Sequence, residues 1–407
     1  MKILMVATNF EAPVGGGGQK SLRILVDALR KEGHSVIVAA LSHGEVGEVD
    51  VDGIPVRYLP VRNLYRPIDT VRASAASRMA WHAADIYNLP SMHDFRRLCE
   101  EVQPDIVHSH VISGLSVSIW SAARAARLPI VHTLRDQYLF CPKTTMFKNG
   151  SVCARQCADC ALLRLPHRKV SRHVTGVIGC SQYILDKHLA GGFFAGVAVK
   201  DVIYNARTPA AIGLPLSPQC SASTRNKVRI GYIGTLAPSK GVEILLEAFR
   251  DIDPEQAELW LAGTGEGAYV HGLKEAFCQE NIVFLGRVKP RDFYPEVDVV
   301  AVPSIWNDTF PGVVFESLAY GRPVIGSRRG GIPEMVQHGV NGLLFDPASA
   351  DELRQSIERL IFDGALRTQM AAAAVSSSET FLDTERFARE HVNFYERAIA
   401  ARLDGIG

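Results

Sequence analysis

Residues Val297–Ser327 read VDVVAVPSIWNDTFPGVVFESLAYGRPVIGS. A β-branched run stops at Pro303 and a polar, aromatic loop follows. Pro311-Gly312 then opens a helix, and Arg322-Pro323 leads into a second apolar run. That order is strand, loop, helix, strand, the βαβ unit of a parallel sheet. The first amides of such a helix have no partner within it and face back toward the carboxyl edge of the sheet, which makes an anion site. Asp308 precedes the helix and Glu316 lies in its first turns, so both carboxylates can point into one crevice. The competing reading is structural: Asp308 and Thr309 cap the helix, and Glu316 is a solvated acid stabilised by the helix dipole.

The same alternation extends outward from this stretch. Val228–Ile233 is a strand, Val242–Phe249 a helix, and ELWLAG and NIVFLG are further strands. Before them, residues 207–226 lose all periodicity and gather Pro and Ser, as an interdomain linker does. Further upstream KILMVAT, DIVH, PIVH and VIGC are short strands, and SLRILVDALRKEG sets Leu22, Leu25, Val26 and Leu29 on one helical face. The chain is expected to be α/β, with two doubly wound Rossmann-like domains, 1–206 and 227–385, facing across a cleft. Residues 386–407 form a last helix that could pack on either domain. A length of 407 residues is well beyond the roughly 250–300 at which one core stops growing, which points to two domains.

Hydrophobic residues at 47% and charged residues at 21% exclude a largely disordered or fibrous chain. A net charge of +1 gives no bulk case for nucleic acid. The total hides a split: residues 1–205 hold 24 basic and 17 acidic side chains, and residues 206–407 hold 20 and 26. A basic first half suits an anionic partner or surface, or is incidental solvation. The apolar run at Met1–Ala7 is too short for a signal peptide, and no run is long enough to span a bilayer. A cytoplasmic protein, soluble or peripheral at the inner membrane face, with reduced cysteines is expected.

Three further patterns carry chemistry. Pro13-Val14-Gly15-Gly16-Gly17-Gly18 follows the first strand and lets backbone amides approach a phosphate, or is a flexible tether. Gly263-Thr264-Gly265-Glu266-Gly267-Ala268 fits G-x-G-x-x-A, yet the next strand ends in Gly286-Arg287 without an acid for a ribose, so a nicotinamide site is disfavoured. Cys141, Cys153, Cys157 and Cys160 are spaced for a structural zinc bound by thiolates, with free thiols, an iron–sulfur cluster or disulfides as the other readings. In addition Arg57, Arg62, Arg66, Arg72, Arg78, Arg96 and Arg97 interleave with Tyr58, Tyr65, Trp81, Tyr87 and Phe95. Such a segment could rest on an anionic membrane, or be a solvated helix pair.

The 303–325 segment resembles the donor-binding signature of the family 4 retaining glycosyltransferases, a GT-B family. The resemblance covers most of the chain. It includes the glycine loop, Gly33-His34, Asp105–His110, Cys180-Ser181, Ile203-Tyr204-Asn205, Gly234–Gly241 and Gly330–Glu334. It implies a hexosyltransferase-type enzyme, retaining and metal-independent, that moves a sugar from a nucleotide-diphosphate-sugar donor to a glycan, lipid-linked or small-molecule acceptor in polysaccharide or glycoconjugate biosynthesis. By resemblance Glu316 binds the ribose hydroxyls, Asp308 meets the donor sugar where most relatives have Glu, and Lys240 pairs with the diphosphate. Thr235 stands where an Arg is usual, which shifts weight to Lys240 and the amides of Gly312 and Val313. Gly16 and Gly17 join the donor site. Many relatives have a Thr-x-His-Asp segment; here Arg135 takes the histidine's place before Asp136. A guanidinium cannot act as a base but can clamp an anion. No cofactor is required for catalysis. The alternative is a catalytically impaired GT-B protein that binds nucleotide sugar or regulates.

Overall fold

The computed structural model describes residues 1–11, 16–44, 46–67, 69, 73–214 and 226–404. Pro13, Val14, Gly15, Arg72 and most of the expected linker lie outside these. The chain divides into two compact units: Met1–Met146, Cys153–Asn205 and Thr384–Gly407 form one, and Phe147–Val152 with Ala206–Asp383 the other.

The first unit is built on β1 (Lys2–Val6), β2 (Ser35–Leu41), β3 (Gly47–Val51), β4 (Ile54–Leu59), β5 (Ile106–Ser109) and β6 (Ile130–Leu134). After a separate small hairpin, β7 (Phe147–Lys148) with β8 (Ser151–Val152), which groups with the second unit, the first unit adds β9 (Gly176–Gly179) and β10 (Val199–Val202). The sheet runs β10-β9-β6-β5-β1-β2-β4-β3, parallel throughout except for β3 against β4. Ile3, Leu4, Met5 and Val6 are fully buried, as a central strand covered on both faces requires. The helix Gly17–Lys31 buries Leu22, Leu25, Val26 and Leu29, the face its spacing predicts. The helix Thr384–Asp404 belongs to this unit and buries Phe387, Phe394, Tyr395 and Ala398. Strand order reverses between β1 and β5, so the loops Ala7–Asn9 and His110–Ser113 open a crevice at the carboxyl edge.

The second unit holds β11 (Val228–Ile233), β12 (Ala257–Ala262), β13 (Ile282–Gly286), β14 (Val299–Val302), β15 (Val324–Ser327) and β16 (Gly342–Phe345). Their order is β13-β12-β11-β14-β15-β16, all parallel. Ile230, Leu245, Phe249, Leu259, Val299, Ile325, Phe345 and Ile357 make its core. The reversal falls between β11 and β14, which places the loops 234–240 and 303–308 side by side. Residues 207–214, read from sequence as linker, are packed structure. Thr208 caps the short helix Pro209–Ile212, whose Ile212 carbonyl accepts the Tyr320 hydroxyl at 2.8 Å. Among the described residues no helix is long and apolar enough to cross a membrane.

Candidate functional site

In the second unit the two loops at the strand reversal are tied together through their backbones. The amides of Ile305 and Trp306 both donate to the Ser239 carbonyl, at 3.0 and 3.1 Å. This sets Lys240 against the 303–308 loop. Its ammonium donates to Asp308 Oδ2 at 2.5 Å and lies 4.9 Å from the Trp306 ring centre. Ser304 Oγ is 3.4 Å from the same carboxylate oxygen. The Asp308 backbone is held from the other side, where the Gly331 amide donates to its carbonyl at 2.8 Å. Gly330 sits at φ +56°, and a Cβ there would stand 1.8 Å from that carbonyl oxygen, so the position admits only glycine without rebuilding the loop.

The helix Gly312–Ala319 has Pro311 at its N-cap and no side-chain cap, so Asp308 does not serve as one. Nor is Glu316 a solvated acid: its side chain is 14% exposed. Its Oε1 lies 3.8 Å from Arg207 Nε, and its Oε2 accepts from the Tyr294 hydroxyl at 3.4 Å. Burial and the neighbouring Glu316 push the Tyr294 phenol well above its ordinary value. Burial lowers the Arg207 proton affinity, and Glu316 opposes that. A Cβ on Gly312 would come within 3.2 Å of Glu316 Oε1, so the carboxylate hangs over the helix start. Thr235 is exposed, and its carbonyl accepts from the Tyr232 hydroxyl at 2.7 Å. Val313 is half-buried in the first helical turn. Arg207 and Tyr294 escaped the sequence reading; the only signal for Arg207 was its place two residues after Ile203-Tyr204-Asn205.

In the first unit a cavity of about 520 Å³ opens at the β1–β5 reversal, lined among others by Asn9, Gly16, Trp81, His110, Arg135 and Asp136. Gly16 is the N-cap of the helix Gly17–Lys31, which has no side-chain cap and no acid in its first turn. Two nitrogens of Arg135 are committed: Nε donates to His110 Nδ1 at 3.1 Å and Nη1 to Asn205 Oδ1 at 2.8 Å. Burial pushes the Asp136 carboxyl up to about 6, although its Oδ1 accepts the Tyr138 amide at 2.9 Å. His110 packs on His108 with ring centres 4.0 Å apart. His108 is in turn hydrogen-bonded to Tyr395 and Thr133, at 2.7 Å each.

Three further motifs of the sequence take their places in the structure. Among the described residues Cys141, Cys153, Cys157 and Cys160 form no disulfide, and no group of three or more His, Cys, Asp or Glu is placed to hold a metal ion. Cys160 Sγ is 3.9 Å from Cys141 Sγ, whereas the Cys153 amide is tied to the Met146 carbonyl at the base of the hairpin. Four of the seven arginines of 57–97 are neutralised within the unit. Arg57 pairs with Glu48, Arg62 with Asp94, Arg66 with Glu11 and Asp69, and Arg96 with Glu100, while Trp81 and Phe95 are core residues. The glycines of Gly263-Thr264-Gly265 serve close packing: Cβ atoms there would stand 1.7 Å from the Gly234 carbonyl oxygen and 2.0 Å from that of Leu236.

Comparison with known proteins matches both halves. A Glycosyl transferase 4-like domain model covers residues 16–200, and a Glycosyl transferases group 1 model covers 227–363. An uncharacterized 42.6 kDa protein in the cps region of Klebsiella pneumoniae is 30% identical over 336 residues, 82% of this chain and 87% of that protein. An uncharacterized glycosyltransferase of Methanocaldococcus jannaschii is 28% identical over 98% of this chain and 99% of its own. The crystal structure of Anabaena HepE in complex with UDP aligns with a TM-score of 0.70 at 22% identity, over 97% of this chain and 99% of that one. Sucrose-phosphate synthase from Thermosynechococcus elongatus aligns at 0.73 and 18%, over 98% and 100%. Two doubly wound units, each with its crevice at a strand reversal, and family models matching both of them make this chain a member of the family 4 glycosyltransferases of GT-B fold.

Proposed function

We propose that the chain is a retaining glycosyltransferase that moves a sugar from a nucleoside-diphosphate donor to a hydroxyl of a glycan, lipid-linked or small-molecule acceptor. The observation that supports it most is the pair of charged couples at one sheet edge, Lys240 with Asp308 and Arg207 with Glu316. In this reading Glu316 accepts from the ribose hydroxyls, and Lys240 with the Gly312 and Val313 amides takes the diphosphate beside Thr235. Asp308 meets the donor sugar. In the first unit, Gly16 and Arg135 border the cavity, and in this reading they and Gly17 meet the diphosphate–sugar and the acceptor. Positive charge from Lys240 and the helix start stabilises the departing diphosphate, so turnover is expected to survive EDTA. Retention places the acceptor on the face that the leaving group quits, with a phosphate oxygen as the base.

A uridine diphosphate sugar is the donor to test first, since HepE was crystallised with UDP and glucose. The cps region named for the Klebsiella relative supports a role in polysaccharide assembly. Glu316→Gln keeps the volume that faces buried Arg207 and removes the charge. It is expected to lower donor turnover about 10- to 100-fold, the value of one charge-assisted contact. Unchanged kinetics in a folded variant overturn the assignment. Nucleotide binding without any turnover in the parent chain would instead mark a binding or regulatory protein.

The reading extends to a membrane-borne acceptor. Leu162 and Leu165 are 69% and 73% exposed, and Arg155, Arg168, Lys169 and Arg172 are exposed around them. This surface, rather than the 57–97 segment in which Arg57, Arg62, Arg66 and Arg96 are paired with acids, suits an anionic bilayer. Flotation with phosphatidylglycerol vesicles is expected to carry the chain up and to fail for Leu162→Asp/Leu165→Asp. Equal flotation of the two proteins, or none for the parent, refutes the contact.

A further inference from the structure

His110 is 3% exposed, and its Nε2 has no hydrogen-bond partner in the structure. Its other ring nitrogen settles the tautomer. A guanidinium N–H can only donate, so at 3.1 Å from Arg135 Nε the His110 Nδ1 must accept, and the ring hydrogen sits on Nε2. Arg135 is itself fixed by Asn205, and the His108 ring packs against His110. The result is a rigid, buried N–H donor in a residue that lines the first unit's cavity. A buried donor that no protein group satisfies is open to a ligand or an ordered water, and this one belongs to a residue of the cavity wall.

The same cavity supplies complementary features. Asn9 Oδ1 is an acceptor without a partner, and Tyr65 stacks on Trp81 with ring centres 5.9 Å apart and planes at 26°. A donor and an acceptor together suit hydroxyl groups, which do both, and an aromatic wall suits the C–H face of a ring. The ligand that combines these is a polyhydroxylated ring.

We infer that His110 is a neutral hydrogen-bond donor to a ring hydroxyl of a sugar held in the first unit's cavity, and that Arg135 is a positioning residue that locks His110 in the Nε2–H tautomer. Naming the ligand as a sugar rests on the glycosyltransferase reading; the tautomer does not. The family's usual histidine is absent from the Thr-x-His-Asp position, and a histidine beyond the neighbouring strand β5 is held by the arginine that replaced it. The groups that face His110 are Arg135, His108, His132 and His391, and Asp136 borders the same cavity. Burial and these neighbours keep the imidazole from taking a second proton, so it remains a donor at Nε2 and an acceptor at Nδ1 near neutral pH.

The test uses the full chain labelled with ¹⁵N-histidine. Its spectrum at pH 7 is expected to show His110 as a single neutral Nε2–H tautomer. The Nε2–H proton is expected to shift on titration with glucose, the probe sugar, taken to molar concentration. Arg135→Met is expected to release the lock and give mixed tautomers or an imidazolium. An Nδ1–H or charged ring in the parent chain, or no response to molar glucose, overturns the inference. An unchanged Nε2–H signal in Arg135→Met overturns the positioning role. The parent spectrum decides the tautomer even if that variant fails to fold. Turnover of a nucleotide sugar without a glucose response would sink this inference alone; a glucose response without turnover would sink the glycosyltransferase reading alone.

Discussion

Lys240 and Asp308 neutralise each other at 2.5 Å, with side chains 28% and 13% exposed, so in the proposed donor site a diphosphate would have to compete with a carboxylate for the ammonium. The two residues are therefore expected to separate in their effects. Lys240→Gln should weaken both UDP binding and turnover, about 10- to 100-fold for one charge-assisted contact. Asp308→Asn should leave UDP binding equal or tighter, because a competing negative charge is gone, while turnover falls. Calorimetric titration with UDP alongside donor turnover checks this, and parallel losses in both variants would contradict separate roles. Asp308 and Glu316 were legible from sequence because they sit on one strand–loop–helix unit. Their partners were only half legible: Lys240 came with a motif, whereas Arg207 lay in what read as linker.

At the scale of elements, the helix Thr384–Asp404 shows what periodicity leaves open. Its apolar face announces burial but not the surface that receives it. The seat is made by a glycine in β9: a Cβ on Gly176 would stand 2.6 Å from the Phe394 ring. Gly176→Ala is expected to destabilise the first unit by about 1–3 kcal/mol through overpacking. A lower urea midpoint with an unchanged m-value checks it, and an unshifted midpoint contradicts that seat. The same helix carries Tyr395 to His108, and so supports the histidine pair beneath Arg135.

Across the whole molecule, stability should depend on acid in one direction. His108, His110, His132, His167, His188 and His391 are buried and kept neutral, by burial first and by nearby cations and histidines second. In the unfolded chain they protonate near 6.5, whereas His188 is lowered to about 4 and His132 and His391 to about 3. Below 6.5 the unfolded state therefore binds more protons, and stability falls as pH drops through that window. Asp85 and Asp136, raised to about 6 by burial, act oppositely: between about 4 and 6 they cost stability as pH rises. Six groups outweigh two, so the urea midpoint is expected to be lower at pH 5 than at pH 7.5; equal midpoints would refute neutral burial of the histidines. The sequence by itself determined the α/β architecture, the two doubly wound halves and the family, because hydrophobic period and motif spacing are local properties of the chain. Only the tertiary structure decided the partners: Arg207 for Glu316, Arg135 for His110, the acids that neutralise Arg57, Arg62, Arg66 and Arg96, and, among the described residues, cysteines that form no ligand set. The physical reason is that strand order, not distance along the chain, determines which side chains meet at a sheet's carboxyl edge.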